Sequence, residues 1–148
     1  MDYEKAEKKI TELVLSTDKK LVLQIIVDFL YNNFKKYNWV GIYIVEKDNL
    51  LLGPWQGEHA TEHVKIPVGK GICGSAAATG KTEIIPDVNK DKRYLSCFVS
   101  TKSEIVVPIK RKGRIIGEID IDSDISDAFT YYDKIFLEKI ANILKDYI

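Results

Sequence analysis

The sequence predicts an α+β domain: a central antiparallel sheet of about six strands, with two N-terminal helices and one C-terminal helix packed on it. Three observations carry this reading. Apolar residues recur at helical spacing at both ends of the chain; between those ends lie short runs of alternating β-branched and aromatic residues; and tight turns join the runs in pairs, as antiparallel neighbours require. The 148 residues suit a single domain, 1–148, large enough to remove ~68–70% of its unfolded surface from water.

From Asp2 to about Ser16, Ala6, Ile10, Leu13 and Val14 form one apolar stripe among lysines and glutamates. Thr17-Asp18 reads as a break and N-cap before a second helix, Lys19 to about Lys36, whose apolar set is Leu21, Leu23, Ile25, Ile26, Phe29, Leu30 and Phe34. Neither helix offers cofactor ligands, so both are scaffold. Strands begin at Asn38. Period-two alternation puts Trp39, Gly41 and Tyr43 on one face and Val40, Ile42 and Ile44 on the other. Lys47-Asp48-Asn49 turns the chain into residues 50–57, closing a hairpin. Trp39 and Tyr43 are either ordinary sheet core or, with Gly41 leaving a gap between two rings, the wall of a ligand pocket.

Residues 58–63 form a polar loop leading to Val64-Lys-Ile-Pro67, and Val68 to Gly80 a glycine-rich turn opening a short helix of small residues. That turn resembles a phosphate cradle only weakly, having neither P-loop nor dinucleotide spacing; its small residues let the helix sit close to the sheet. Thr82 to Ile85 is a short strand, and Pro86 to Arg93 an irregular loop with solvated charges. Strands Glu104–Lys110 and Arg114–Asp122 follow, joined by Arg111-Lys112-Gly113, where glycine accommodates positive φ. In the second of them Glu118, Asp120 and Asp122 share one face, a costly arrangement unless that face is wet, paired or functional. A last helix, Tyr131 to about Tyr147, has Thr130 as N-cap and Asp133 as box partner. Its stripe, Ile135, Phe136, Ile140, Ile143 and Leu144, is expected to dock beside the first two helices.

Twenty-two basic side chains balance twenty-two acidic ones, spread along the chain. That excludes a general nucleic-acid or anionic-membrane binder, and no stretch approaches the ~20 apolar residues of a membrane span. The start reads as a charged helix, not a signal peptide, so the expected location is cytoplasmic. In that compartment two cysteines are more often reactive or simply buried than disulfide-bonded. Cys97 is the candidate chemical centre. It lies in a polar, turn-prone segment seven residues ahead of Glu104 at the mouth of a strand. A metal site from Cys73, Cys97, His59 and His63 lacks a recognised zinc spacing, and no metal is expected.

With these elements in place, the sequence resembles a GAF domain, and its motifs are similar to those of the free methionine-(R)-sulfoxide reductases. The shared stretches are Asn38-Trp-Val-Gly-Ile-Tyr43, Leu52-Gly-Pro-Trp-Gln-Gly57, residues 66–74, Ser103-Glu-Ile-Val-Val-Pro108 and residues 116–123. The resemblance implies a GAF-like sheet and reduction of free L-methionine-(R)-sulfoxide to methionine. It makes Cys97 the cysteine that attacks sulfur and becomes a sulfenic acid, and Glu104, Asp120 and Asp122 the active-site carboxylates. Trp39 and Tyr43 become the aromatic pair that receives the methyl-thioether end of the substrate, and Cys73 a second cysteine. One departure stands out. Family members usually carry a resolving cysteine in the loop before Val64, aligned with His63 or Thr61, and this chain has no cysteine before Cys73.

These residue types suit the reaction. A thiol displaces oxygen from S(IV) only if that oxygen is protonated, so the site needs an acid as well as a nucleophile. Crowded carboxylates raise one another's pKa and keep an acid neutral near pH 7, while opposing ionisation of the thiol. Two routes could restore Cys97: a Cys73–Cys97 disulfide opened by a thioredoxin-like donor, or direct attack by an external thiol with Cys73 a buried bystander, the slightly favoured route. No bound cofactor is expected. The expected partners are free methionine sulfoxide and a thiol reductant, with a homodimer left open. The competing reading is a noncatalytic GAF sensor of small molecules.

Overall fold

The computed structural model describes residues 1–96 and 98–148. Helix α1 (Tyr3–Ser16) is capped by the Asp2 carboxylate, which accepts from the Lys5 amide. Asp18 accepts from the Lys20 amide and starts a 3-10 turn, Lys19–Leu21, ahead of α2 (Val22–Asn33). Because the α-helix starts only at Val22, Leu21 falls outside the apolar stripe and is exposed, against expectation. The strands are β1 (Trp39–Glu46), β2 (Asn49–Gly57), β3 (Lys65–Pro67), β4 (Glu83–Ile85), β5 (Ser103–Arg111) and β6 (Arg114–Ser123). Between β3 and β4 lies α3 (Gly71–Thr79), and the chain ends in α4 (Tyr131–Leu144) and a 3-10 turn, Lys145–Tyr147.

The six strands form one sheet in the order β3-β2-β1-β6-β5-β4, with every neighbouring pair antiparallel. In the β5–β6 turn both Lys112 and Gly113 have positive φ, at 51° and 75°, the twist that a tight hairpin needs.

Alternation along the strands sends side chains to two different cores. Val40, Ile42, Ile105, Val107, Ile109, Ile119 and Ile121 face α1, α2 and α4. Trp39, Tyr43, Leu50, Ile66 and Val106 face α3 and the segment leading to β5, where they meet Ile72, Cys73, Ala76 and Val88. The C-terminal helix docks beside the first two as expected, but Ile135 is exposed, and Leu137 and Ala141 complete its buried stripe.

Asp133 does more than close a capping box. Its carboxylate is wholly buried and accepts from the Thr130 amide, the Tyr3 and Tyr37 hydroxyls at 2.8 and 2.7 Å, and the Lys36 ammonium at 2.6 Å. It joins α1, the α2–β1 connection and α4 on the scaffold side of the sheet. No helix among the described residues is long and apolar enough to cross a membrane.

Candidate active site

The register of the three central strands assembles the site. Asp122 lies opposite Trp39 on β1 and opposite Glu104 on β5; Asp120 lies opposite Gly41 and Val106; Glu118 lies opposite Tyr43 and Pro108. Three acids on one strand and a fourth beside them therefore face α3 rather than the scaffold helices. The face is not wet. Glu104, Glu118, Asp120 and Asp122 retain between 0% and 6% of their exposure. Among the described residues neither oxygen of Glu118 has a hydrogen-bond partner, nor does Oδ1 of Asp120 or of Asp122.

Burial without compensation has the electrostatic result expected. Desolvation, then the Asp120 charge, pushes the Glu118 carboxyl well above the ordinary glutamate range. Asp122 rises well above its usual value by burial, helped by Asp120 and Asp124. Asp120 also rises by burial, and hydrogen bonds with Glu104 and Cys73 hold it back in part. Buried carboxyls with pKa values raised in this way favour a neutral acid in the row. Cys73 is buried on α3, its Sγ 3.9 Å from Glu104 Oε1. Burial, then Asp120, Glu118 and Glu104, pushes its thiol well above the normal range.

Two small cavities flank this row. One, of about 20 Å³, is walled by Tyr43, His63, Cys73, Leu95, Glu104 and Asp120 among others. The other, of about 80 Å³, is bordered by Trp39, His59, Phe98, Thr101, Asp122 and Asp124 among others. The predicted aromatic pair is thus divided between them. Tyr43 donates its hydroxyl to the His63 carbonyl at 2.7 Å. Trp39 stacks on Trp55 with ring centroids 6.2 Å apart and has Phe98 6.1 Å away at a tilt.

The expected gap at Gly41 is not open, because the Trp39 indole lies over both Gly41 and Gly57, where any β-carbon would overlap it. The charges of the Pro86–Arg93 loop are largely exposed, as expected, although two contacts tie the loop down. Arg93 forks onto Asp91 and Glu83 at 2.8–3.3 Å, and Val88 is buried.

Cys97, the expected nucleophile, lies outside the described residues. The structure brings Glu104, Asp120, Tyr43 and Cys73 around one cavity and Trp39 and Asp122 around the other. The histidines of the rejected metal set are separated: His59 borders the larger cavity, whereas His63 borders the smaller, with Nε2 3.2 Å from the Ser96 carbonyl oxygen. The sequence puts Glu118 on the acidic face and points to no role for it. Its period-two position beside Asp120 was the available signal, and its complete burial was not readable from sequence.

Comparison with known proteins gives a consistent picture. The family model described as GAF domain matches residues 18–145. The free methionine-R-sulfoxide reductase of Saccharomyces cerevisiae is 46% identical over 111 residues, covering 72% of this chain and 61% of the yeast protein. The chain thus spans about three fifths of that relative's length. The type II free methionine-R-sulfoxide reductase of Thermoplasma acidophilum superposes with a TM-score of 0.84 at 39% identity, over 87% of this chain and 91% of that one. The Neisseria meningitidis free methionine-R-sulfoxide reductase, solved in complex with its substrate, gives 0.91 at 34% identity, over 98% and 87%.

Proposed function

The chain belongs to the GAF-domain family, in the branch of the free methionine-R-sulfoxide reductases, and on that premise we propose that it reduces free methionine-R-sulfoxide to methionine. The observation that carries the proposal is the buried row of Glu104, Asp120 and Asp122, bracketed by Trp39 and Tyr43 and bordered by residues on both sides of Cys97 in the chain.

In the first step the Cys97 thiol gives up its proton and its sulfur takes the sulfoxide oxygen. The thioether of methionine departs and Cys97 becomes a sulfenic acid. A carboxyl of the row protonates the oxygen as the S–O bond to the substrate breaks, and recovers a proton from the thiol. The remaining carboxylates receive the substrate ammonium, whose charge they neutralise. Because the carboxylate charges oppose a thiolate, the acid proton, rather than a Cys97 pKa depressed below the ordinary cysteine range, is expected to drive the step. An alkylation-rate profile against pH placing it well below that range would overturn this point.

For the return step, one external thiol condenses with the sulfenic acid and releases water, and a second releases Cys97 by exchange, leaving the external disulfide. Cys73 is a poor resolving thiol in this setting, being buried and surrounded by acids that hold its proton. Cys73→Ser is therefore expected to keep turning over with dithiothreitol, and Cys97→Ser to lose turnover. Loss of recycling in both would assign the resolving role to Cys73.

Each cavity is well below the ~300 Å³ of an ordinary small-molecule site. The deciding experiment is a turnover assay with free and peptide-bound methionine sulfoxide, each epimer, with dithiothreitol or thioredoxin as reductant. Activity is expected with the free R-epimer; its absence there would leave a ligand-binding GAF domain.

A further inference from the structure

We propose that Cys73, Glu104 and Asp120 form a binding site for one divalent cation of borderline softness, with Zn²⁺ as the representative ion. The Cys73 Sγ and one carboxylate oxygen from each of the two acids lie within 4.8 Å of one another, and all three residues are buried. Ligand atoms around a tetrahedral zinc ion sit roughly 3.3–3.5 Å apart, given Zn–S and Zn–O bonds of ~2.3 and ~2.0 Å. The Cys73 Sγ–Glu104 Oε1 separation is already 3.9 Å, so small side-chain rotations close the set. The cavity of about 20 Å³ that these three residues help to wall has room for a single water-sized particle.

A second observation points the same way. Asp120 Oδ1 is buried with no hydrogen-bond partner among the described residues. The described residues walling this cavity include no lysine or arginine, and His63 is their one basic side chain. Buried carboxylates are costly unless protonated, paired or coordinated, and a cation is a partner for Asp120 Oδ1, which has none among the described residues. A thiolate disfavours Mg²⁺ and Ca²⁺, whereas two carboxylates disfavour Cu(I), which leaves zinc as the ion matched to the donor set. Coordination releases the thiol proton to solvent and changes no oxidation state. Occupancy would withhold Glu104 and Asp120 from substrate, so the cation is an inhibitor of the proposed reaction and not a participant in it.

The test needs no turnover, so its failure and failure of the reductase assignment are separately visible. Reduced, metal-stripped protein is titrated with Zn²⁺ against a chromophoric chelator, and with Co²⁺ while the sulfur-to-cobalt charge-transfer absorption is followed. One equivalent should bind and the band should appear. Cys73→Ser, shown to be folded by near-ultraviolet circular dichroism, should lose the band and bind Zn²⁺ at least about tenfold more weakly. Asp120→Asn should weaken Zn²⁺ binding while keeping the band, and Cys97→Ser should keep both. A band that survives Cys73→Ser, a band that vanishes in Cys97→Ser, or no binding in competition with the chelator would each overturn the proposal.

Discussion

The indole of Trp39 covers Gly41 and Gly57, leaving no space for a β-carbon at either. Gly41→Ala must therefore displace a ring packed against Trp55, at a cost of about 1–3 kcal/mol. A denaturation midpoint unchanged from wild type would mean that the ring moves freely. The acids make a sharper case. Strand alternation alone places Glu118, Asp120 and Asp122 together, but whether they are solvated, paired or functional depends on what covers them. Only the packed structure shows all three buried with oxygens lacking partners among the described residues. Asp120→Asn removes a carboxyl that shares a hydrogen bond with Glu104, and is expected to lower kcat/KM for free methionine-R-sulfoxide by about 10²–10⁴-fold. An effect of less than tenfold would remove Asp120 from the reaction.

At the scale of elements, β1, β5 and β6 were legible nearly to the residue, because two-residue periodicity survives in strands covered differently on their two faces. The segment from Pro86 to Ser96 was not, because its order comes largely from contacts distant in sequence. Arg93 grips Glu83 on β4 as well as Asp91, and Ser96 offers its carbonyl to His63. The Arg93 guanidinium is 39% exposed, so Arg93→Ala is expected to cost no more than about 1 kcal/mol of global stability. It should nevertheless speed amide hydrogen exchange over residues 91–96 while leaving α2 and β6 unchanged. Unchanged exchange there would mean that the fork does not hold the segment.

For the molecule as a whole, the sheet separates scaffold from chemistry. Asp133 and its partners Tyr3, Lys36 and Tyr37 lie with the scaffold helices, and Trp39, Tyr43 and Cys73 on the opposite face. Asp133→Asn breaks a buried ion pair and should destabilise by about 3–5 kcal/mol, with turnover per folded molecule retained. The pH dependence has a defined sign. Although burial alone would raise the Asp133 pKa, hydrogen bonds from Lys36, Thr130, Tyr37 and Tyr3 lower it overall. Its contribution is then present above the ordinary aspartate range and lost as pH falls through the lowered folded value. The stability gap between wild type and Asp133→Asn should be constant from about pH 5 upward and shrink below about pH 4. Melting curves across that range test it; a gap that widened in acid would contradict the assignment.

By itself the sequence determined which residues share a face, where the hairpins turn and which motifs accompany one another, because these follow from local periodicity and turn chemistry. It therefore specified the α+β class, the acidic strand and the family resemblance. The tertiary structure decided what each face meets. Desolvation is a property of the covering layer, and here that layer is α3 together with residues of the segment before β5, far from β6 along the chain. That covering raises the pKa values of Asp120, Asp122 and Cys73, fills the Gly41 gap with Trp39 and brings Cys73 within reach of two carboxylates.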